Sequence, residues 1–238
     1  MANARKHGDA RMLKDATMLR QTMTSCIALA TALLASAAAG ADATMAKPAR
    51  PRAVVRAAKP PPLYVEYASY GVALTADARI HPGSLCSSSA PCILGGGGGL
   101  ALRGGFRWPG PWYLGGAYQI SRMDSSNLYR LATLQQLRVE MRYMLDMGYR
   151  SVPYATWGGG AVAYGNELGA ETGGVTAFAG LGVELQLSRL AVIGVATRYQ
   201  PMLFAGFTDT AGYDRALGLA HYATLEFQLE IRHEVSGR

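Results

Sequence analysis

Three histidines after residue 43 are the first candidates for chemistry, because imidazole is the usual general base near neutral pH. His81 lies close in sequence to Ser84, whereas His221 and His233 lie near opposite ends of the last apolar segment. An acyl hydrolase needs a nucleophile, a base that activates it and a group that stabilises the oxyanion. No His-x-Ser strand motif occurs around His221, which is followed by a tyrosine and an alanine. The pattern favours structural roles for the histidines and predicts no catalytic residue.

Acidic residues and a glycine run could bind a cation or a phosphate, but their spacing supports neither. Glu167, Asp209 and Asp214 are scattered over two separate segments. The glycine run 95–99 precedes a predicted strand rather than opening a helix, and no Lys-Ser/Thr pair follows it. We therefore predict no cofactor and no metal site.

Cys86 and Cys92 remain once the segment that contains Cys26 is set aside, and they bracket the short run SSSAP. An even number of cysteines in an exported chain predicts a disulfide. The bridge would close a small loop and stabilise it by about 2 kcal/mol. A metal pair is disfavoured because His81 alone cannot complete a tetrahedral site.

Residues 1–43 have the organisation of a secretory signal peptide. Several Lys and Arg precede the apolar run 26–39, and small residues follow it. Cleavage after Ala39, Ala41 or Ala43 fits this pattern. The alternative is a buried or membrane-anchoring helix, but the run is shorter than the ~18–20 residues that span a bilayer.

The segment 44–62 reads as a basic periplasmic linker that is too rich in Pro and charge to pack. It explains much of the net charge of +7, because the thirteen Arg and thirteen Asp/Glu from residue 63 onward balance. A basic field over the rest of the chain is therefore absent, and we predict no nucleic-acid partner.

The elements that must position these residues are strands. Residues 131–147 alternate between a mostly apolar set and a set that carries charges of both signs, and a period of two is typical of a strand. Turn signals divide the chain from residue 63 onward into eight segments of this kind, each long enough for a tilted membrane strand. Their expected cores are 63–78, 97–108, 111–122, 131–146, 151–164, 174–187, 190–202 and 218–233.

The connections between these segments are expected to alternate between long and short. The long ones are 79–96, 123–130, 165–173 and 203–217, and the short ones are centred on 109–110, 147–150 and 188–189. Such alternation is typical of an up-and-down barrel with loops at one end and tight turns at the other.

Charged residues fall on one face of the clearest strands, and their signs can compensate. A small barrel with these residues inside would hold a paired polar interior, and its outer face would be the uncharged apolar band that lipid requires. The faces of the first and fifth strands cannot be assigned. The predicted interior charge network comprises Arg103, Arg138, Glu140, Arg142, Glu184, Arg198, Glu226, Glu230 and Arg232.

Aromatic residues cluster where the short connections lie, as in the aromatic girdle at a membrane interface. Trp108, Trp112 and Tyr113 flank the first short turn, and Tyr149 and Tyr154 flank the second. Tyr64 and Tyr67 are expected at the same level, at the start of the first strand. Aromatics scattered in a soluble core are the alternative.

With a signal, eight amphipathic strands and alternating connections, residues 63–238 resemble the eight-stranded outer-membrane barrels of the OmpA/OmpX-like and opacity-type surface-antigen kind. The resemblance is one of architecture and has no diagnostic motif. It implies an all-β, antiparallel transmembrane barrel in the outer membrane of a Gram-negative bacterium. Its interior would be filled by side chains, and it would act as a structural or surface-interaction protein through four long extracellular loops.

Outer-membrane lipid and lipopolysaccharide are the expected partners, with an extracellular ligand at the loops as a further one, and a monomer is expected. Two alternatives remain open at this stage. One is a lipid A-modifying enzyme, an acyl hydrolase or acyltransferase, built around His221 and a loop Ser or Asp. The other is a soluble exported lipocalin-like barrel, which would hold its ligand in an apolar interior.

Overall fold

The computed structural model describes residues 65–86, 91–145 and 147–235 of the chain. The predicted signal peptide (1–43), the predicted linker (44–62) and Tyr64 lie outside the described residues, as does the side chain of Ser84.

The described part of the chain is built of antiparallel strands. Eight long ones form a single sheet in which the first strand also pairs with the last, so that the sheet closes into a barrel. Two short strands form a separate hairpin in the last long connection. In chain order the strands are β1 (Tyr67–His81), β2 (Gly97–Arg107), β3 (Trp112–Met123), β4 (Ala132–Met144), β5 (Ser151–Asn166), β6 (Thr172–Gln186), β7 (Ala191–Phe204), β8 (Phe207–Thr208), β9 (Asp214–Arg215) and β10 (Gly218–Glu234).

The eight-stranded antiparallel barrel predicted from the alternation pattern is confirmed, with β1–β7 and β10 as its strands. Each sequential pair is hydrogen-bonded, and β10 joins β7 to β1. Closure removes both edges of the sheet, so every barrel strand has a partner on each side. Within the described residues, no helix has the length and apolar character needed to cross a membrane.

Burial alternates along most of each strand, and the sense of the alternation puts charge inside. On β4, Arg138, Glu140 and Arg142 are buried, whereas Leu137 and Val139 are 64% and 59% exposed. On β10, Glu226, Glu230 and Arg232 are buried and the intervening Phe227, Leu229 and Ile231 are exposed. The wall is therefore apolar on its outer side and polar on its inner side.

The two strands without a sequence-based face assignment follow the same rule. On β1 the odd positions Ser69, Thr75 and Asp77 point inward. On β5 the even positions Tyr154 and Thr156 point inward. β5 contains several glycines, which have no side chain and so show no polar or apolar preference. For this reason the sequence pattern did not reveal which face of β5 points inward.

Four connections, including the longest two, lie at one end of the barrel, here called the loop end. The other end, the turn end, holds the tight connections and both termini of the barrel. One expectation is wrong in detail: the connection between β5 and β6 comprises only residues 167–171, shorter than the predicted 165–173. β5 continues through Asn166 by pairing with β4, and β6 begins at Thr172 by pairing with β5. Glu167 lies in the turn in a left-handed conformation (φ 56°).

An apolar cap fills the lumen at the loop end. Leu85, Ile93 and Leu94 of the first loop fold inward over the barrel mouth and are almost fully buried. Side chains from the ends of the strands surround them and complete the cap: Met123, Tyr129, Ala132, Leu134, Val162, Tyr164, Met202, Phe204, Ala220 and Tyr222. The barrel therefore has an apolar plug above a charged interior.

Candidate functional site

All nine residues of the interior charge network lie in the lumen, where each is at most 6% exposed. They come from five strands, β2, β4, β6, β7 and β10. Because inward positions recur every second residue, the three on β4 and the three on β10 form vertical rows that face each other across the lumen. The structure thus brings together residues far apart in sequence.

Arg142 pairs with three carboxylates of this network, each at 2.9 Å or less. Its Nη1 lies 2.9 Å from Oε1 of Glu184, and its Nη2 lies 2.9 Å from Oε1 of Glu140 and 2.8 Å from Oε1 of Glu230. The guanidinium also lies over the rings of Tyr113 and Tyr154, at 4.6 and 5.2 Å from their centroids. One arginine therefore joins three carboxylates, and aromatic rings cover the remaining faces.

The other ion pairs extend this centre along the lumen. Nη2 of Arg103 lies 2.5 Å from Oε1 of Glu226 and 3.1 Å from Oε2 of Glu140. Glu226 also pairs with Arg198, and Arg232 pairs with the second oxygen of Glu184. The result is one continuous chain of alternating charges across the lumen.

Arg138 is the least well paired member. Its nearest carboxylate oxygen is that of Glu226, 3.9 Å from Nη2, and its Nη1 donates to the amide oxygens of Gln119 and Gln136. Its guanidinium and that of Arg198 both lie within 6 Å of the ring centroid of Phe178. Within the described part of the chain, Nε of Arg138 has no hydrogen-bond partner.

A second polar layer lies between the charges and the apolar cap, and sequence reasoning missed it. Asp77 is 3% exposed and lies in the lumen. Its carboxylate accepts hydrogen bonds from Gln119 Nε2 (3.1 Å), Ser121 Oγ (2.8 Å) and Thr224 Oγ1 (2.8 Å). In the sequence, Ser69, Thr75 and Asp77 are separated by even numbers of residues, which places them on one face of β1. This spacing indicates a polar layer in the lumen only when that face is known to point inward.

The aromatic girdle at the turn end is present in part. Trp112 points outward and contacts Tyr143 and Trp157, with ring centroids 5.0 and 5.9 Å apart. Trp108 and Tyr149 are also exposed. The expectation is wrong for Tyr67, Tyr113 and Tyr154, which are at most 4% exposed in the lumen, because neighbours along a strand face opposite sides.

The aromatic girdle marks one edge of the apolar outer face, and polar side chains near the loop end mark the other edge. The hydroxyl of Tyr118 donates to Oε1 of Gln135 at 3.0 Å. From Tyr143 to Gln135 the outer face of β4 runs for about eight residues, which at ~3.3 Å each and ~40° tilt corresponds to ~20 Å of height. This matches the apolar band of a membrane barrel.

The histidines lie on the outer face or at the rim rather than in an enclosed pocket. His221 contacts the hydroxyl of Tyr199 through Nδ1 at 2.5 Å, and its ring centroid is 6.1 Å from that of His81. Nδ1 of His81 accepts the backbone N–H of Gly83. His233 is exposed at the turn end, far along β10 from His221. Among the described contacts of His221 there is no serine hydroxyl and no carboxylate.

Polar side chains hold the first loop in the barrel mouth, together with a Cys86–Cys92 disulfide. The hydroxyl of Tyr222 donates to the carbonyl of Gly95 (3.2 Å), and the hydroxyl of Tyr164 donates to that of Ile93. Nη1 of Arg215 donates to the carbonyls of Leu85 (2.8 Å) and Pro91 (2.9 Å). The inward position of this loop therefore depends on these side-chain hydrogen bonds as well as on apolar contacts.

Asp209 anchors Arg215 in that position. Its Oδ2 lies 2.7 Å from Nη2 of Arg215, and its Oδ1 accepts the N–H groups of Ala211 and Tyr213. Burial by itself would raise the pKa of Asp209, but the hydrogen bonds from Arg215 and Tyr213 outweigh it, so the pKa lies below its ordinary value.

The remaining loop acids do not converge on a cation site. Glu171 accepts hydrogen bonds from the hydroxyls of Tyr129 and Thr210, and Glu167 pairs with Arg130 at 3.3 Å. Burial and the Glu171 carboxylate raise the pKa of Tyr129. Among the described residues, no group of three or more His, Cys, Asp or Glu side chains is arranged to hold a metal ion.

Solved structures with the same architecture are outer-membrane barrels. Neisserial surface protein A matches with a TM-score of 0.50 at 11% identity, over 71% of this chain and 97% of that one. The outer membrane protein OprG from Pseudomonas aeruginosa matches with a TM-score of 0.50 at 11% identity, over 75% of this chain and 98% of that one. No protein-family model and no curated protein matches the sequence. At this identity the likeness shows the fold: an eight-stranded barrel of the outer-membrane kind.

Proposed function

We propose that the chain is an exported, non-enzymatic outer-membrane protein whose closed barrel anchors four loops for contacts at the cell surface. In this proposal residues 1–43 are a cleaved signal peptide, and residues 44–62 are a periplasmic linker. The expected partners are outer-membrane lipid, including lipopolysaccharide, and a ligand that contacts the loops.

The main support for placing the protein in a membrane is that its charged side chains point into the lumen. Nine charged residues that a soluble barrel would expose to water are buried in the lumen. The outer face instead presents large apolar side chains such as Leu74, Leu137 and Leu181, each more than 60% exposed. In water such a surface would be an aggregation hazard, whereas in a bilayer it is the favourable arrangement.

The filled lumen supports an anchoring role over a solute pore. The charge network occupies its middle, and the apolar cap blocks the loop end. A solute would have to displace Leu85, Ile93 and Leu94 and separate several buried ion pairs, which is costly because each charge would lose its partner.

The charged lumen disfavours a soluble lipocalin-like barrel, and the contacts of His221 disfavour a lipid A-modifying enzyme. A lipocalin-like barrel needs an apolar interior, but here the interior holds arginine and glutamate. An acyl-transfer enzyme needs a base beside its nucleophile, and His221 instead contacts Tyr199 and His81.

Membrane extraction followed by conductance measurement tests the proposal. The protein should remain with the membrane fraction in high salt and at pH 11 and should be released by detergent. Once folded into planar bilayers, it should give no sustained single-channel conductance. A standard porin in the same bilayers is the positive control for conductance.

Release by salt without detergent would contradict the membrane placement. A stable open channel would leave the placement intact but contradict the closed-anchor role.

A further inference from the structure

Arg122 is an exception to the apolar outer face. Its neighbours Ser121 and Met123 are buried, so the exposed Arg122 side chain points away from the lumen. Among the described residues of the eight barrel strands, it is the one Asp, Glu, Lys or Arg side chain on the outward face. A charge that faces lipid is costly, so its position needs an explanation.

The position of Arg122 coincides with the upper edge of the apolar band. On β3 it lies beyond Ile120 and Tyr118, and Tyr118 is hydrogen-bonded to Gln135. It pairs in register with Thr133 on β4, close to the loop end. If the band occupies the hydrocarbon layer, the guanidinium lies at the depth of lipid headgroups, where arginine meets phosphate.

Arg122 also lines a polar pocket of about 300 Å³ beside the connection between β3 and β4. Arg130, Asp124 and Tyr129 contribute to the same pocket. The connection is folded tightly around it: Ser126 and Asn127 are both left-handed (φ 55° and 63°). The pocket thus opens beside the membrane edge and holds two arginines.

The balance of charge in this pocket favours an anion. Asp124 is the acidic residue in the lining, and its Oδ1 already accepts the N–H of Ser126 at 2.9 Å. Arg130 pairs with Glu167, but their side chains are 87% and 57% exposed, and exposed pairs of this kind contribute little. Arg130 can therefore turn toward a ligand at low cost.

From this geometry we infer that Arg122 and Arg130 form a binding site for the phosphate group of an outer-leaflet lipid. The planar guanidinium matches the paired oxygens of a phosphate, and two arginines from one strand and its adjoining loop would hold the group from two sides. The inference rests on the proposed membrane placement and adds a lipid class and two residues to it.

Native mass spectrometry of the mature protein in detergent tests the site. The probes are bisphosphorylated lipid A and the same lipid after its phosphates have been removed with a phosphatase. The unaltered protein should retain the phosphorylated lipid preferentially. The Arg122→Gln/Arg130→Gln variant should lose that preference by about tenfold or more, because charge-assisted hydrogen bonds are lost.

Arg150→Gln is the matched control, because Arg150 is an exposed arginine at the turn end. It should keep the preference. Equal binding of both lipids by the unaltered protein, or equal losses in the control and the double variant, would overturn the inference. Displacement of the lipid by millimolar inorganic phosphate at constant ionic strength would overturn the lipid assignment in favour of a soluble phosphate ligand.

Flotation with liposomes separates this test from that of the proposed function. A protein that fails to float contradicts the membrane placement itself. A protein that floats but shows no preference for the phosphorylated lipid contradicts only the phosphate site. Far-UV circular dichroism of each variant establishes that the barrel is folded in every comparison.

Discussion

The buried arginines of the lumen differ in how completely they are compensated. Arg142 joins three glutamates, whereas Arg138 has one carboxylate oxygen at 3.9 Å. Breaking a buried ion pair from one side leaves the remaining charge without compensation, and this costs more than the pair itself contributes. The loss of folding stability on replacing an arginine should therefore increase with the number of carboxylates that pair with it.

Replacing Arg142 with Met should lower the free energy of unfolding by about 3–5 kcal/mol, because Glu140, Glu184 and Glu230 would lose a common partner. Arg138→Met should cost clearly less. Urea unfolding in lipid vesicles, followed by tryptophan fluorescence, measures both. Equal losses in the two variants would show that the carboxylate contacts do not govern stability.

The Asp209–Arg215 pair makes the last long connection, residues 205–217, sensitive to acid. Since the pKa of Asp209 is depressed in the folded protein, the pair stabilises the loop above the ordinary aspartate pKa of about 4. That contribution is lost as the pH falls through the lower, folded-state pKa. The amides of Ala211 and Tyr213, which donate to Asp209, report on it directly.

Hydrogen-exchange protection of these two amides should be constant from pH 7 to pH 5 and fall below about pH 4. Rates must first be corrected for the intrinsic pH dependence of exchange. Asp209→Asn should show low protection that does not change over this range. A loss that begins above pH 5 would assign the effect to another group.

At the scale of the strands, glycines on β5 and β6 make room for the large side chains of the lumen. A Cβ on Gly158 would lie 2.0 Å from the carbonyl oxygen of Val139 and 2.8 Å from Cζ of Phe178, the ring that both Arg138 and Arg198 approach. Gly182 similarly faces the ring of Tyr154. The glycine stretch of β5 is therefore part of the packing of the interior.

Gly158→Ala should destabilise the barrel by about 1–3 kcal/mol, because the methyl group would clash with the carbonyl oxygen of Val139 and overpack the lumen against Phe178. Gly116→Ala is the matched control: it lies on the outer face of β3, where a Cβ would be 3.5 Å from the nearest atom, the carbonyl oxygen of Arg138. Its effect should stay within about 0.5 kcal/mol. Similar losses in the two variants would point to backbone propensity instead of space.

At the scale of the whole molecule, the two ends of the barrel are built differently. The loop end has the apolar cap, the disulfide and the polar pocket, whereas the turn end has short connections and exposed tryptophans. In the proposed function the loop end faces the exterior of the cell. This orientation is testable without knowledge of the ligand.

Single cysteines introduced at Ala216, in the last loop, and at Ser151, at the turn end, should react differently with a membrane-impermeant maleimide. Ala216→Cys should be labelled in intact cells, whereas Ser151→Cys should be labelled only after lysis. The native Cys86 and Cys92 are bonded to each other and provide no free thiol. Labelling with the opposite preference would reverse the proposed orientation.

The period-two pattern determined where the strands lie and which side chains share a face. These are local properties, because successive residues of an extended chain point to opposite sides. The positions of Arg138, Glu140 and Arg142 on one face of β4 could therefore be read from the sequence. The girdle was partly misread, because Trp112 and Tyr113 were placed at one level without separation by face.

Only the closed tertiary structure decided which residues meet inside. That Arg103 of β2 reaches Glu226 of β10, and that Asp77 accepts hydrogen bonds from β3 and β10, follows from register and closure between strands distant in sequence. The inward fold of the first loop under Arg215 has the same origin. Local alternation is set by the geometry of one strand, whereas contacts across a lumen require every strand to be in place.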